Sequence, residues 1–322
     1  MNRRQLLAAA PFLATPALVQ AQPAWPNRTV RIIIPFTPGG ASDLMMRPVA
    51  ERLERMLGHS FVIDNRPGGG GAVGVGAAAN ERPDGYTLLM STAGPLVLLP
   101  AMMANLPYNP ARSFTYISLM GGAPIVCAVK GDSPIRNLAD YAAAAKRSPD
   151  AVSFGSSGIG SMGHLTGVLF GMETQSQLLH APFRGAPEAQ TAVLSGTTTS
   201  LWDTAAANVQ AIRAGTMRGL CVSSAERASI LPDVPTAREA GFANVVSLNW
   251  FMLAAPAGLP PAVTERLSSA IREILAEPAI RERMESIAFV QAESIPQPGL
   301  AAWVQAEATR WAPVVRASGA SM

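Results

Sequence analysis

The stretch Val30–Asp43, VRIIIPFTPGGASD, combines a β-branched run, a glycine-rich loop and polar residues. The run Val30–Ile34 predicts a short strand, because branched side chains favour extended backbone. Apolar residues at helical spacing then predict a helix that Ser42 or Asp43 caps and Gly58 terminates. A strand, a loop and a helix in this order form the repeating unit of α/β folds.

The same unit recurs along the chain. Each further predicted strand is short, apolar and followed by glycine, serine or a turn: Phe61–Ile63, Tyr86–Met90, Val152–Phe154, Leu178–His180 and Thr199–Trp202. Helical spacing predicts three helices near the end of the chain: Pro261–Leu275, Ala279–Ile287 and Pro298–Val315. Repetition of this kind predicts an α/β fold with largely parallel sheets.

Length and composition exclude several classes of protein. The 322 residues are enough for two domains. Hydrophobic residues make up 48% and charged residues 15%, but proline, glycine and serine break every apolar run well short of the ~20 residues of a membrane span. The net charge is only +3, and no basic block is interleaved with aromatic residues, so nucleic acid is not an expected partner.

The first 21 residues, MNRRQLLAAAPFLATPALVQA, have the pattern of an export signal. Paired arginines at positions 3 and 4 precede an apolar stretch, and small residues near Ala21 suit a cleavage site. A core helix is the alternative, but Pro11 and Pro16 argue against it. Residues 1–21 therefore predict a signal peptide of the twin-arginine type, cleaved near Ala21, and a periplasmic location.

Cys127 and Cys221 lie in two apolar, strand-like runs. An oxidising compartment permits a disulfide between them. Free buried cysteine is also a common core residue, and sequence cannot bring two thiols within bonding distance. The sequence leaves both states open.

Small hydrogen-bonding residues follow several predicted strands. In open α/β sheets ligands bind beyond the carboxyl ends of the strands, where helix N-termini favour negative charge. Four loops have this character: Thr37, Gly39, Gly40 and Ser42; Gly68–Gly71; Ser91, Thr92 and Gly94; and Ser156, Ser157, Gly160 and Ser161. Turn chemistry would explain any one of them. Together they predict a pocket for an anion.

A dinucleotide fingerprint, Gly69-x-Gly71-x-x-Gly74, follows a predicted strand and opens a helix. The acidic residue expected ~20 positions later is missing, because the next strand ends LLMS at residues 88–91. A nucleotide-dependent enzyme is therefore the weakest hypothesis. The sequence has no Gly-x-Ser-x-Gly elbow, and its three histidines lack metal-ligand spacing. We expect no catalytic residue, no metal and no cofactor.

Two polar residues beside predicted strands could contact a ligand. Asp203 ends a short strand, where a carboxylate needs an ammonium group, a water or a neighbouring N–H as its partner. His164 follows a serine and glycine loop, and orienting that loop is its expected role. His180 precedes Ala181 and Pro182 at a strand end, and packing is its expected role.

Six segments carry a family resemblance: PFTPGGASD at 35–43, NRPGGGG at 65–71, PDGYTLL at 83–89, HAPFRGAP at 180–187, LPDVPT at 231–236 and APAG at 255–258. They resemble signatures of the Bug family, also called the TctC family. Its members are the extracytoplasmic binding proteins of tripartite tricarboxylate transporters. The resemblance runs along essentially the whole chain after residue 21.

The resemblance implies a type II periplasmic-binding fold, in which two Rossmann-like α/β lobes are joined by two crossover strands. Lobe 1 would comprise residues 27–122 and 226–322, and lobe 2 residues 123–225. The implied function is capture of a small carboxylate metabolite between the lobes and its delivery to membrane subunits of the transporter. We expect a monomer without enzymatic activity. A sensing module that feeds a membrane sensor kinase would have the same sequence features and remains the alternative.

The resemblance also implies which residues contact the ligand. Lobe 1 would contribute Thr37, Pro38, Gly39, Gly40, Ser42, Gly71 and Ala72, and the loops above add Asp43 and Thr92. Lobe 2 would contribute Ser156, Ser157, Ser161, His164, Arg184, Gly185 and Asp203. Phe183 and Arg184 stand where the family pattern has tyrosine and lysine, so the identity of the carboxylate stays open.

Overall fold

The computed structural model describes residues 25–290 and 295–320, and the predicted signal sequence lies outside these ranges. The strands within the described part are β1 (Val30–Ile34), β2 (Phe61–Asn65), β3 (Thr87–Thr92), β4 (Phe114–Lys130), β5 (Ser153–Ser156), β6 (Leu179–Pro182), β7 (Ser200–Thr204), β8 (Met217–Val222) and β9 (Leu248–Pro256). The α-helices are α1 (Ala41–Leu57), α2 (Ala72–Ala79), α3 (Leu138–Ala145), α4 (Met162–Thr174), α5 (Ala186–Leu194), α6 (Ala205–Arg213), α7 (Pro261–Ala276), α8 (Pro278–Glu285) and α9 (Leu300–Ala317).

The strands form two sheets of the same design, one in each lobe. In lobe 1 the order is β2-β1-β3-β9-β4, with the first three strands parallel and β9 antiparallel to β3. In lobe 2 the order is β6-β5-β7-β4-β8, again with three parallel strands followed by an antiparallel one. The predicted two-lobed α/β fold is therefore confirmed.

Two strands connect the lobes. The first half of β4 pairs with β9 in lobe 1, and its second half, from Ile125 onward, pairs with β7 and β8 in lobe 2. β9 runs back beside β4, and Asn249 lies opposite Ala123 just before β4 changes partners. The β4–β9 pair is thus the only place, in the described ranges, where backbone pairing continues from one sheet to the next.

The chain stays with lobe 2 after β8 for longer than the sequence predicts. Ala228, Leu231 and Val234 pack in one apolar cluster with residues of β4, β7 and β8. The backbone N–H of Val222 donates to the Pro235 carbonyl at 2.9 Å, which ties this segment to β8. We therefore propose that the chain returns to lobe 1 at β9 and not at residue 226.

The first helix begins differently from the prediction. Gly40 is its N-cap, and neither Ser42 nor Asp43 caps it through the side chain. The helix ends as predicted at Gly58, whose φ of 78° and bond to the Glu54 carbonyl form a left-handed cap. The uncapped start leaves N–H groups of the first turn without intrahelical partners.

Cys127 and Cys221 lie opposite each other on β4 and β8, and both thiols are free and fully buried. Burial raises the pKa of the Cys221 thiol to about 12 and raises that of Cys127 as well. Both cysteines therefore behave as small apolar core residues. No helix within the described part of the chain is long and apolar enough to cross a membrane.

Candidate ligand-binding site

A pocket with a cavity volume of about 40 Å³ lies between the lobes at the carboxyl ends of the parallel strands. This is the edge at which α/β sheets bind ligands. Its lining residues come from four strand–helix junctions, the end of β3 and the crossover strand β9: Phe36, Thr37, Gly40, Ala41, Ser42, Thr92, Ser157, Ser161, Met162, Gly163, Gly185, Ala186, Asp203, Thr204 and Asn249.

Four helices point their N-termini at this pocket. The lining includes the first residues of α1, α4 and α5, namely Ala41, Met162 and Ala186, and the N-cap of α6, Thr204. The first N–H groups of a helix lack intrahelical partners, and the helix dipole adds partial positive charge there. The pocket therefore favours negative charge, although no lysine, arginine or histidine among the described residues lines it.

A side chain of the protein already caps one of these helix ends. Ser161 accepts a hydrogen bond from the His164 N–H at 3.2 Å and so caps α4. Helices α1, α5 and α6 begin at Gly40, Gly185 and Thr204 without a side-chain cap. The carboxyl group of Asp203 lies beside the start of α6, where it accepts from the Thr204 N–H at 2.6 Å and disfavours a second anion. The ends of α1 and α5, one from each lobe, therefore suit an anion best.

Lobe 1 offers hydroxyl groups that are free to donate. The side chains of Thr37, Ser42 and Thr92 line the pocket and make no hydrogen bond to any other described residue. Ser42 and Thr92 are nevertheless almost fully buried, at 4% and 3% exposure. Their hydroxyl groups line the pocket and are available to donate to a bound oxygen atom.

Asp43 supports this wall from behind. Its carboxylate accepts hydrogen bonds from Arg47 Nε at 2.8 Å, from Arg47 Nη2 at 2.9 Å and from the Gly39 N–H at 3.1 Å. Burial alone would raise the pKa of Asp43, but the bonds from Arg47 and Gly39 outweigh it and hold the pKa below its ordinary value. Asp43 is therefore ionised, fixes the loop and does not line the pocket.

Lobe 2 presents hydroxyl groups whose protons are already used. The Ser157 hydroxyl donates to Asp203 Oδ2, and the Ser161 hydroxyl donates to Ser156 Oγ at 3.3 Å. Asp203 is 4% exposed, and burial raises the pKa of its carboxyl despite the hydrogen bonds from Ser157 and Thr204. This wall therefore offers acceptors to the pocket.

A layer of two histidines lies behind the lobe 2 wall. His164 and His180 stack with ring centroids 3.9 Å apart, and His180 Nε2 lies 2.7 Å from Ser156 Oγ. His164 Nδ1 accepts from the Gly160 N–H at 3.3 Å. Burial lowers the pKa of His164 to about 4 and, together with the charge on His164, that of His180 to about 3. Both rings are neutral near pH 7 and hold the loop Ser156–Ser161.

The two lobes touch each other through glycines, so the structure is closed. A Cβ atom on Gly94 of lobe 1 would lie 2.7 Å from the Gly160 carbonyl oxygen of lobe 2. A Cβ on Gly185 would meet the Thr37 hydroxyl, and one on Gly70 would meet the Ile159 carbonyl. At Gly94 and Gly70 backbone approaches backbone, and at Gly185 backbone approaches the Thr37 side chain, because glycine has no Cβ atom.

The glycine fingerprint serves packing within lobe 1. A Cβ on Gly74 would lie 2.7 Å from the Arg66 carbonyl oxygen and 2.8 Å from Pro35 Cα, and one on Gly71 would lie 2.6 Å from Pro95 Cγ. Protein neighbours therefore fill the space that a pyrophosphate would need. Among the described residues, no three His, Cys, Asp or Glu side chains are grouped so as to hold a metal ion.

Asn249 is a lining residue that sequence reasoning missed. It lies on β9, and its Oδ1 atom is buried without a hydrogen-bond partner among the described residues. No glycine, cap or turn signal surrounds it, and only the pairing of β9 with β3 and β4 brings it to the pocket. Phe36, Ala41, Met162, Gly163, Ala186 and Thr204 were also outside the predicted set.

Half of the predicted ligand residues line the pocket: Thr37, Gly40, Ser42, Thr92, Ser157, Ser161, Gly185 and Asp203. The other half lie outside the lining: Pro38, Gly39, Asp43, Gly71, Ala72, Ser156, His164 and Arg184. Among these, Ser156 and His164 bond to lining residues, and Asp43 fixes the loop beside them. The exposed Arg184 donates its backbone N–H to Glu188 at 3.2 Å, and its side chain bonds to no residue in ranges 25–290 and 295–320.

A comparison with known families identifies the chain. Residues 45–320 match the tripartite tricarboxylate transporter family receptor, called TctC. The chain belongs to this family. Among relatives, the protein BugT from Bordetella pertussis is 32% identical over 326 residues, which is 100% of both chains.

Two solved structures also resemble the chain. A Rhodopseudomonas palustris protein with adipate has a TM-score of 0.88 and 30% identity, and the match covers 92% of this chain and 99% of that one. The protein MatC from the same organism, with bound malate, has a TM-score of 0.85 and 29% identity, covering 90% and 100%. The two-lobed architecture thus agrees with that of TctC-type binding proteins.

Proposed function

We propose that this TctC family protein is a periplasmic solute receptor that captures a small carboxylate between its lobes. It hands the ligand to the membrane subunits of a tripartite tricarboxylate-type transporter, and it acts as a monomer without catalysing a reaction. The family match and the export pattern of residues 1–21 support this role. The alternative, a sensing module, would need a membrane kinase as its partner.

The convergence of helix N-termini carries the proposal. Helices α1 and α5 come from opposite lobes, both begin without a side-chain cap, and both line one pocket. A carboxylate between them accepts from free backbone N–H groups and from the hydroxyls of Thr37 and Ser42. Because no basic side chain in the described part of the chain lines the pocket, these neutral donors supply the recognition of charge.

The ligands of the two similar structures support a carboxylate. Malate and adipate are both small dicarboxylates, and each is bound by a protein of about 30% identity to this chain. They differ in length and in the presence of a hydroxyl group. The shared feature is the carboxylate, which is the group that the α1 and α5 termini suit.

Closure follows from the placement of the donors. A carboxylate can contact α1 and α5 together only when the lobes meet, as they do at Gly185 and Thr37. The ligand therefore shifts the equilibrium toward the closed form by its higher affinity for that form. The closed form then presents one fixed surface to the membrane subunits.

Thermal unfolding of the purified protein against a panel of carboxylates tests the proposal, with NAD and ATP as controls. A ligand at ~100 times its dissociation constant adds about 2.7 kcal/mol of stability. For a chain of this size the expected rise in Tm is roughly 5–10 °C. A rise with one class of carboxylate and none with the nucleotides supports the receptor; a rise with NAD alone contradicts it.

The partner is tested separately with the liganded protein as bait. Cross-linking in membranes that contain the transporter subunits is expected to join the liganded protein to those subunits and to join the ligand-free protein less. Cross-linking to a sensor kinase instead would contradict the delivery role, support the sensing role and leave the proposal of carboxylate binding unchanged.

A further inference from the structure

A second cavity, of about 350 Å³, lies outside the ligand pocket and shares no lining residue with it. Its lining combines Met120 on β4, residues 227–229 after β8, Leu275 near the end of α7, and part of α8 with residues 288–290 beyond it. The capture of a solute between the lobes does not use this space. A concave, largely apolar space of this size is a candidate site for a second ligand.

The second cavity lies where the cores of the two lobes meet. Met120, Met284 and Phe289 belong to the apolar cluster that packs β1, β3 and α1 in lobe 1. Ala228 and Ala288 belong to the cluster that packs the second half of β4 with β7 and β8 in lobe 2. All five are at most 6% exposed, and all five line the cavity. An occupant therefore meets an apolar floor that both lobes supply.

Three charged side chains complete the lining, and all three are exposed: Arg227, Arg281 and Glu285. Arg227 is already paired, because its Nε atom lies 2.8 Å from the Glu239 carboxylate. Arg281 donates Nε to the Leu275 carbonyl at 3.4 Å and forms no ion pair with a carboxylate in the described ranges. Arg281 is thus the cation of this lining that an anion can pair with.

An apolar floor beside an available arginine suits an amphiphilic anion. An apolar cavity of ~150 Å³ holds benzene, so about 350 Å³ holds a chain of about eight carbons. Each CH₂ group that such a chain buries raises the affinity about 4-fold. The anionic head pairs with Arg281 and keeps part of its hydration, because that arginine is exposed.

We infer that the second cavity binds a small amphiphilic anion. One apolar chain of about eight carbons lies against Met120, Met284 and Phe289, and the charged head pairs with Arg281. The site does not depend on the proposed function, since it shares no residue with the ligand pocket. A cationic amphiphile has Glu285 as a partner but meets two arginines, so it suits this lining less well.

Titration calorimetry of the purified protein with butyl, hexyl and octyl sulfate, below micelle formation, tests the inference. Excess methyl sulfate is present throughout, so that any site that recognises the head alone is already filled. We expect one octyl sulfate per chain and an affinity that rises about 4-fold for each added CH₂ group. Failure of octyl sulfate to bind, or an affinity that does not depend on chain length, would overturn the inference.

The sign of the charge is tested with octyltrimethylammonium, which has the same chain and a cationic head. Its expected affinity is about 2- to 5-fold lower than that of octyl sulfate, the range of an exposed ion pair. Equal or tighter binding of the cation would contradict recognition of an anion by this lining.

Two arginines on α8 provide a matched pair of variants. Arg281→Gln is expected to lower the affinity for octyl sulfate about 2- to 5-fold. Arg283→Gln, at an exposed position on the same helix outside the lining, is expected to leave it unchanged. Glu285→Gln removes a carboxylate from the lining and is expected to raise the affinity by a similar factor. Equal effects of Arg281→Gln and Arg283→Gln would overturn the pairing with Arg281.

A bulky substitution tests the location. Ser229→Trp places a large ring at an exposed lining position and is expected to lower the affinity for octyl sulfate at least about 5-fold. Ser148→Trp, exposed and outside the lining, is the matched control and is expected to change nothing. The Tm without ligand checks the fold of each variant, and Ala228→Leu repeats the test if Ser229→Trp does not fold. An unchanged affinity in the folded variant would place the amphiphile elsewhere and overturn the inference.

Discussion

Each lobe holds one buried carboxylate beside the pocket, and the two have opposite surroundings. Asp43 in lobe 1 receives two hydrogen bonds from Arg47 and one from the Gly39 N–H, and its pKa is lowered. Asp203 in lobe 2 receives bonds only from neutral groups, Ser157 and Thr204, and its pKa is raised. The Asp43 carboxylate is thus paired with an arginine of the protein, whereas Asp203 has no cationic partner among the described residues.

The difference shows how two sheets of the same strand order divide one task. Lobe 1 uses its carboxylate to fix a loop, and the free hydroxyls of that loop then face the pocket. Lobe 2 fixes its loop with neutral groups, the stacked pair His164 and His180, and leaves Asp203 at the pocket. The lobes are therefore alike in fold and complementary in chemistry.

The largest expected effect comes from separating the lobes. Gly94→Ala places a Cβ 2.7 Å from the Gly160 carbonyl in the closed form, a contact between backbones that cannot yield by a side-chain rotation. Overpacking of this kind costs about 1–3 kcal/mol, so ligand affinity is expected to fall roughly 5- to 150-fold. Calorimetry measures the affinity.

Stability distinguishes this effect from misfolding. The ligand-free Tm of Gly94→Ala is expected to stay close to that of the unchanged protein, because the clash exists only when the lobes meet. Gly299→Ala is the matched control, since a Cβ there meets only Ile295 at an ordinary 3.5 Å. Unchanged affinity in Gly94→Ala would show that ligand binding does not need this closed contact.

A smaller effect is expected from substitution of Asp43, the carboxylate that is paired with Arg47. Asp43→Asn removes a charge that accepts from Arg47 and Gly39, and hydrogen bonds to charged groups contribute about 1.5–3 kcal/mol. Because Arg47 is half exposed, we expect a loss of about 1–2 kcal/mol, or roughly 2–8 °C in Tm. Scanning calorimetry of the ligand-free protein measures it, and an unchanged Tm would contradict the structural role of Asp43.

The smallest expected effect is on the pH dependence of folding stability, to which Asp43 and Asp203 contribute with opposite signs. The stability that Asp43 contributes is present above its unfolded pKa and is lost as the pH falls through its lowered folded pKa. Asp203 has a pKa that is raised in the folded state, so its contribution to the free energy of unfolding decreases as the pH rises from the unfolded pKa through the folded pKa. Asp203→Asn is therefore expected to raise the ligand-free stability at pH 7.

Denaturant titrations between pH 3 and pH 7 compare the two variants. As the pH rises, Asp203→Asn is expected to become increasingly more stable than the unchanged protein. Over the same range Asp43→Asn is expected to become increasingly less stable than the unchanged protein. Parallel curves would contradict the assignment of one satisfied and one unsatisfied carboxylate.

Much of the architecture could be read from local patterns. The strand Val30–Ile34 and the end of α1 at Gly58 lie where the β-branched run and the glycine predict them. The start of α1 could not be read in the same way. Asp43 has the chemistry of a cap, but Arg47 one turn later attracts its carboxylate, and the helix begins at Gly40 instead.

The pocket was predictable only where its residues follow strand ends. Thr37, Ser157 and Gly185 lie in loops whose glycines and hydroxyls signal an anion site. Asn249 lies on β9, the strand that returns the chain to lobe 1, and its neighbours in the sequence carry no such signal. Arg184 carries the charge that chemistry would suggest for a carboxylate, yet it is exposed outside the lining.

The sequence by itself determined the α/β class and the family and indicated several strand–helix loops that line the pocket, because periodicity, glycine and hydroxyl chemistry act over a few residues. Only the tertiary structure decided which of those ends remain open and which groups face them. The pairing of β9 with β4 joins residues more than 120 positions apart, and with the pairing of β9 to β3 it brings Asn249 into the same pocket lining as Asp203 and the starts of the uncapped helices. Long-range strand pairing leaves no mark on the local sequence, so the place of Asn249 in the pocket became visible only in the fold.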